Sequence, residues 1–416
     1  MLPPPGTSRR LAAFSRAVRR DGPRSLDRHW ATLTKEGLPL VERVLRDPQT
    51  RLVTFVWRPG RTVTGSSIDI SMPEIVLGDS TLRQVGHLGV WFRSFRFPRR
   101  TRTHYGFSPR PLPGLKTSDK AWARYLKSVV PDPCNSRAIL FERDPDDPDD
   151  VPFRLSVIEL PGAPPQPWSR TKGPLRWTQE HHRLDSRFLR TPRSVWVYLP
   201  ADFDPGRRGY NLLIAFDGVI YRSAIPTPRI VQNLVAARKI APTVVVLVGN
   251  APGARGKELT CNPGFADFLG RELLPWMRRR YRLRMEPSKT VLAGSSLGGV
   301  AAAYTALRYP HLVGNVLAQS GAFQVGSSGS RSGPSSLMHE FALAPKFAIK
   351  FYLDAGKIEG TTFPGLPVSL LGSVRHMRDV LMAKGYSVSY AEFDGGHDYA
   401  CWNGTFADGL IHLLGK

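Results

Sequence analysis

Gly294-Ser295-Ser296-Leu297-Gly298 places Ser296 at the centre of a G-x-S-x-G pentapeptide, between the apolar run KTVLAG and the alanine-rich stretch LGGVAAAYTALRYP. Strand, tight turn and helix in that order make a nucleophile elbow, in which the turn exposes the serine oxygen and small flanking glycines let strand and helix approach closely. The helix N-terminus brings unpaired backbone N–H groups and the positive end of a dipole to the same place. A serine hydroxyl also needs a base, and in an α/β-hydrolase the chain order is serine, acid, histidine. Downstream of Ser296, His397 stands in the loop Asp394-Gly395-Gly396-His397-Asp398, directly after a strand-like run and close to the carboxyl end. His311 follows Pro310 at a helix end, and His376 and His412 fall in helical patterns. His397 is therefore the expected general base.

The acid should end the strand before the histidine loop. FYLDAGKIEG offers Asp354, on the strand end, and Glu359, three residues beyond Gly356; Glu359 is narrowly preferred. Such an acid fixes the imidazole tautomer and stabilises the imidazolium. One oxyanion donor is the N–H of Leu297. The second is expected from the turn after YNLLIAFDG, at Val219 or Gly218. No metal site is expected: His181 and His182 are adjacent rather than four apart, and Cys134, Cys261 and Cys401 are scattered.

The elements that must hold these residues follow from the pattern along the chain. From about residue 170 apolar, β-branched runs alternate with amphipathic or alanine-rich stretches. RSVWVYLP, YNLLIAFDG, APTVVVLVGN, KTVLAG, GNVLAQSGAF, KFAIKFYLDAG and YSVSYAEFDGGH read as strands, and FADFLGRELLPWMRRRY as a helix. That alternation predicts an α/β domain with a mostly parallel sheet and flanking helices over 166–416. Between 46 and 165, shorter runs such as RLVTFVWRPG, TVTGSSIDI, LGVWFRSFRFP and THYGFSP, cut by Gly, Pro and Asp, predict a small β-sandwich. The proline-rich PGAPPQPW at 161–168 reads as an extended linker. Residues 1–45 are Arg-rich, with Leu11, Phe14 and Val18 spaced as on one face of a helix.

Composition sets the partners. The 416 residues carry 58 Lys and Arg against 34 Asp and Glu, a net charge of +24, and 45 of the basic residues are arginine. Such a surplus favours anionic partners: nucleic acid, a membrane surface or a polyanionic small molecule. The amino terminus has no apolar core of a secretory signal, and no run is long enough to span a bilayer, so a cytoplasmic protein without membrane insertion is expected. No zinc-finger spacing or RNA-reading aromatic motif supports nucleic-acid binding.

Several blocks make the chain resemble the enterochelin esterases, ferric-siderophore hydrolases of the esterase D branch of α/β-hydrolases. They are VTFVWRPG, VIELPGAPPQPW, FDG, RGKELTCNPGFADFLGRELLPW, GSSLGGVAAAYTALRYP, LAQSGAF, DAGKIEG and GGHDYACW, in the family's order over roughly residues 46–416. The resemblance implies hydrolysis of the ester bonds of an enterobactin-like tri-catecholate, ferric or iron-free. It further implies an immunoglobulin-like β-sandwich ahead of the catalytic domain. It places the nucleophile at Ser296, the base at His397 and the acid at Glu359. Iron arrives with the substrate, and no cofactor is expected. A ferric tris-catecholate carries about three negative charges, which a basic cleft would attract.

Within that resemblance Arg255 is a candidate substrate or site-shaping contact, set against a local ion pair with Glu258. Trp168 and Trp402 are candidates for stacking on catechol rings, or else core residues. Tyr221 stands where many family members have Trp, and Asn403 where Arg is common, both expected at the substrate rim. Cys261 and Cys401 are expected as free buried thiols rather than a disulfide. The remaining expectation is a monomer or weak homo-oligomer. A general carboxylesterase or acyltransferase of the same type is the alternative activity.

Overall fold

The computed structural model describes residues 8–59, 66–69, 79–110, 124–170, 173–325, 336–362, 366 and 368–415. The chain forms two compact units. The first comprises 1–140, 153–164 and 394–400, and the second 141–152, 165–393 and 401–416.

In the first unit, helix α1 (Arg9–Asp21) is capped by Ser8, whose side chain accepts the Leu11 N–H, and α2 (Leu26–Thr34) follows after a short turn. Leu11, Phe14 and Val18 are buried with Leu40, Val56 and Val90, so the arginine-rich segment is folded in along the face its spacing predicted. Strands β1 (Leu40–Val44), β2 (Asp47–Trp57), β4 (Arg83–Gln84) and β5 (Trp91–Pro98) form one antiparallel sheet in the order β1-β2-β5-β4. A second is ordered β3-β6-β8-β7, from β3 (Ser67–Asp69), β6 (Arg102–Ser108), β7 (Ala138–Phe141) and β8 (Phe153–Glu159). Of the predicted run TVTGSSIDI, Thr62–Gly65 and Ile70 lie outside the described residues. The two sheets meet through aromatic rings. Phe55 meets Tyr105 edge-on at 4.7 Å between centroids, and Trp57 stacks on Phe107 at 5.4 Å.

The second unit is built on an eight-stranded sheet ordered β16-β15-β14-β13-β11-β12-β10-β9. Strands β11 (Asn211–Ala215), β12 (Thr243–Val248), β13 (Thr290–Ser295), β14 (Asn315–Gln319), β15 (Lys350–Gly356) and β16 (Ser387–Phe393) run parallel to one another. β10 (Arg193–Pro200) and β9 (Trp177–Leu184) add antiparallel pairs at one edge. β9 was not evident in the sequence, because its residues WTQEHHRL are polar and half-exposed, as an edge strand allows. The central strands are buried on both faces, which explains their continuous apolar runs.

The connecting helices are α3 (Gly218–Arg222), α4 (Thr227–Ala236), α5 (Arg255–Leu259), α6 (Pro263–Asp267), α7 (Leu274–Tyr281), α8 (Leu297–Arg308), α9 (Ser336–Leu343), α10 (Leu370–Ala383) and α11 (Tyr399–Leu414). A π-helical turn, Phe268–Leu273, joins α6 to α7. The strand order reverses between β13 and β11, and a crevice at the carboxyl ends of strands on either side of such a reversal is where α/β sheets place their ligands.

Arg193, wholly buried at the start of β10, pairs with buried Glu258 of α5 and also donates to Pro192 O at 2.8 Å. Removing one member of a buried pair leaves a charge uncompensated. Arg193→Met should therefore lower unfolding stability by about 3–5 kcal/mol, and Arg193→Met combined with Glu258→Leu should recover most of it. Calorimetric melting of the two variants checks this.

Candidate active site

The strand β13 ends in the predicted elbow. Ser296 has φ 55° and ψ −120°, a conformation an L-residue rarely adopts. Backbone hydrogen bonds on both sides of the residue hold it. Its N–H donates to Gln319 O at 2.9 Å, and its carbonyl accepts from Gly299 N at 3.1 Å and Ala322 N at 3.0 Å. Gly294 is required by close approach, since a Cβ there would stand 2.5 Å from the Gly298 carbonyl carbon. Ser296 is half-buried, and Leu297 is the first residue of α8, where the helix leaves its N–H without an intrahelical partner.

The neighbouring strand β11 ends in a second special turn. Asp217 is left-handed at φ 53°, and Gly218 and Val219 open α3, so their N–H groups are also first-turn donors. A Cβ at Gly218 would lie 2.9 Å from both Trp196 Cζ3 and the Val248 carbonyl carbon, so only glycine fits. The turn is clamped from the side. Arg255 donates through Nε to Asp217 Oδ1 at 2.6 Å and through Nη2 to Oδ2 at 2.8 Å, and Asn250 Nδ2 donates to Oδ1 at 2.6 Å. A bidentate guanidinium–carboxylate pair fixes direction as well as distance. Arg255 thus pairs with Asp217 and not with Glu258, whose partner is Arg193.

Both candidate acids are wholly buried at the end of β15. Glu359 Oε2 accepts from Ser320 Oγ at 2.9 Å and from Gly356 N at 2.6 Å. Asp354 Oδ1 accepts the Ser320 N–H at 3.0 Å. Burial pushes the Asp354 carboxyl up to about 7, against the opposing pull of its hydrogen bonds.

Between the acids and the elbow lie two residues that the sequence did not single out, Gln319 and Ser320. Gln319 carries Ser296 on its carbonyl, while its side chain accepts from Tyr221 Oη at 3.0 Å and donates to Trp402 O at 2.9 Å and Thr405 Oγ1 at 2.7 Å. Ser320, left-handed at φ 43°, accepts from Trp402 Nε1 at 3.1 Å and donates its own hydroxyl to Glu359 Oε2. Their only sequence signal was the block LAQSGAF, which named a strand and a turn without roles.

Both aromatic residues of this network are interior: Tyr221, expected at the rim, and Trp402, weighed between stacking and the core. Tyr221 is 0% and Trp402 1% exposed, so both are interior groups anchoring Gln319 and Ser320 rather than faces offered to solvent. Their polar tips found buried partners, which is why amphipathic rings were chosen there. Trp168 is half-buried, and its carbonyl accepts from Asn233 Nδ2 at 2.7 Å; Asn403 is half-buried as well. Cys261 and Cys401 are both buried and neither is in a disulfide; burial pushes the Cys261 thiol up to about 12.

His397 follows the end of β16 by four residues and is half-buried. Its segment, 394–400, groups with the first unit. The anchor is the next residue, Asp398, which is wholly buried. Its Oδ2 accepts the His104 N–H at 2.8 Å and the Thr103 hydroxyl, and its Oδ1 lies 2.9 Å from His104 Nδ1 and accepts the Ala400 N–H at 2.6 Å. Burial alone would push this carboxyl up; the His104 charge and these donors outweigh it and hold it below its ordinary value. Among the described residues no cluster of three or more His, Cys, Asp or Glu has the arrangement of a metal site.

A parallel-stranded sheet with a strained serine turn at its carboxyl edge, N–H donors from two adjacent helix starts and a buried acid beyond it defines an α/β-hydrolase-like esterase domain. Residues 186–413 match the family described as putative esterase, and 52–169 match the enterochelin esterase N-terminal family. The chain belongs to the enterochelin esterase family. It is 27% identical to the iron(III) enterobactin esterase of Escherichia coli K12 over 352 residues, covering 80% of this chain and 81% of that protein. The iron(III) enterobactin esterase of Dickeya dadantii is 26% identical across 92% of each chain. Among solved structures, the ferric enterobactin esterase of Salmonella typhimurium superposes with a TM-score of 0.76 at 26% identity, covering 93% of this chain and 98% of that one.

The raised Asp354 carboxyl has a consequence for stability. Its folded value lies above the ordinary carboxylate value, so between pH 4 and 7 the folded state binds the extra proton, and stability falls as pH rises through that window. Asp354→Asn keeps an acceptor for Ser320 N–H and removes the ionisation. The variant should melt higher than the parent at pH 8, by on the order of 5 °C, with the gap closing toward pH 4. Parallel melting curves at the two pH values check the sign.

Proposed function

We propose that the protein is a serine esterase that hydrolyses the ester bonds of a catecholate siderophore, an enterobactin-like trilactone in its ferric or iron-free form. The observation that carries this reading is similarity to enterobactin esterases along nearly the whole chain, joined to an intact elbow at Ser296. In the proposed reaction His397 accepts the Ser296 hydroxyl proton as Oγ attacks a seryl ester carbonyl. The N–H groups of Leu297 and of Val219 or Gly218 receive the oxyanion. His397 then protonates the leaving alcohol, and a water activated by the same imidazole hydrolyses the acyl-enzyme. Glu359 is the preferred acid, oriented by Ser320 and the Gly356 N–H; Asp354 is the alternative.

In this reading the two antiparallel sheets, whose strands other than β1 lie within 46–165, act as an immunoglobulin-like sandwich, residues 166–416 carry the chemistry, and the reaction takes place in the cytoplasm. Iron enters as part of the substrate. Arg255 is assigned a positioning role: through Asp217 it fixes the turn that presents the Gly218 and Val219 N–H groups.

Chromatography of enterobactin and its ferric complex after incubation with parent and Ser296→Ala protein tests the substrate. Linear trimer, dimer and monomer should appear only with the parent, while Ser296→Ala retains siderophore binding. Cleavage of a p-nitrophenyl ester alone would keep the serine chemistry and move the substrate to another ester. Glu359→Gln should lower kcat more than Asp354→Asn does, and equal losses would leave the acid unassigned to Glu359. Arg255→Met should lower kcat on the order of tenfold to a hundredfold with little change in KM, because the oxyanion donors lose their alignment in the transition state. A rise in KM at constant kcat would instead make Arg255 a substrate contact.

A further inference from the structure

The six parallel strands β11 to β16 have two unlike edges. Ser296 and the acids stand at the carboxyl edge, and the segments that feed the strands lie at the amino edge. Residues 201–210, 237–242, 278–289, 309–314, 344–350 and 384–386 make up those segments. They hold 13 Lys and Arg against three carboxylates, Asp202, Asp204 and Glu286. Glu286 is already taken by Lys289, at 2.9 Å. Of the arginines at the end of α7, Arg280 reaches Glu180, at 3.5 Å. Arg278, Arg279, Arg282 and Arg284 are exposed and, with Leu283 and Met285, line a shallow depression of about 460 Å³. One or two basic side chains in the last turn would suffice to answer the helix dipole, whereas Arg282 and Arg284 lie beyond the helix. Lys346 and Lys350 lead into β15 and are exposed, as are Arg238 and Lys239 ahead of β12.

Two large apolar side chains stand bare at the same edge. Leu343, the last residue of α9, is 71% exposed, and Met382, in the last turn of α10, is 57% exposed. Those helices lead into β15 and β16, and Lys384 Nζ ties their ends together by donating to Ala342 O at 2.7 Å. Lys346 lies alongside, its Nζ 3.6 Å from where a Cβ of Gly385 would be.

We infer that this amino edge is a docking face for an anionic lipid bilayer. A band of unneutralised Arg and Lys attracts anionic headgroups, and exposed Leu and Met set among lysines can enter the headgroup–acyl boundary. Nucleic acid would use the charge and leave the apolar pair without a role. At about 4.8 Å between strands, the six span about 24 Å, room for several headgroups. Docking this way leaves the serine elbow on the edge turned away from the lipid.

The test is co-sedimentation of the full-length protein with phosphatidylcholine vesicles, with and without phosphatidylglycerol, over a series of salt concentrations. The parent should bind only the anionic vesicles, less with added salt. Arg279→Glu/Arg282→Glu/Lys346→Glu should weaken that binding more than about tenfold. Leu343→Ser/Met382→Ser should weaken it several-fold at unchanged charge. Arg238→Glu/Lys239→Glu, on a separate segment, provides a second reading should the triple variant fold poorly, and p-nitrophenyl ester hydrolysis reports that each variant is folded. Binding by the parent that none of the charge variants diminishes, or no binding to anionic vesicles at low salt, would overturn the proposal. So would duplex DNA that displaces the protein from vesicles while the Leu343/Met382 variant binds them like the parent, which would assign the face to nucleic acid.

Discussion

A backbone that turns sharply at a buried strand end must find new partners for its peptide groups, and in this protein Gln319 supplies them. Ser296 occupies a torsional region that costs of order 1–3 kcal/mol, which persists only where the surroundings over-determine it. Gln319 meets that condition by accepting the Ser296 N–H on its carbonyl and bonding α3 and α11 through its side chain. Ser320 continues the network to both acids at the end of β15. Three adjacent strand ends, β13, β14 and β15, are thereby locked in one hydrogen-bonded array with little freedom to relax singly.

The arrangement separates two kinds of electrostatic work. At the carboxyl edge the carboxylates are few, buried and held by named donors: Asp217 by Arg255 and Asn250, Glu359 by Ser320 and Gly356. At the amino edge charges are many, mostly exposed and predominantly positive, 13 Lys and Arg against three carboxylates. Buried groups fix geometry because any displacement costs a hydrogen bond in a low-dielectric surrounding. Exposed like charges set long-range attraction and respond to ionic strength. A net charge of +24 therefore reads as a surface property, and the candidate chemistry depends on a handful of neutralised pairs.

Much of this was legible in the sequence because it rests on local periodicity and on glycine. The central strands announced themselves as β-branched runs, and the elbow by Gly294 and Gly298 about Ser296. α1 was visible in the spacing of Leu11, Phe14 and Val18. What was not legible depends on tertiary partners. Nothing local distinguishes Gln319 from any strand-end glutamine, or marks Asp217 and Ser320 as left-handed, since no glycine stands at either position. Arg255 lies three residues from Glu258, which kept a local pair open beside a substrate or site-shaping role; the fold instead brought Arg193 to Glu258 and Arg255 to Asp217. Tyr221 was expected at the rim because it stands where many family members have Trp, and Trp402 was weighed between catechol stacking and the core; the polar tips of both serve the interior.

The histidine loop has a further consequence, for the order in which the chain can fold. Asp398 completes the hydrogen bonding of Thr103 and His104, nearly three hundred residues upstream in sequence. During synthesis most of the first unit emerges early, but this buried cluster must wait until residue 398 has left the ribosome. Contacts of such separation form late, because the loop-closure entropy is met before the contact stabilises anything. The Ser296 elbow, by contrast, draws on Gln319 and Ala322, within thirty residues of itself. The serine turn can thus form on a partly made chain, while the segment bearing His397 is seated only after Asp398 is made, so a chain stalled between the two would carry the turn without the histidine segment in place.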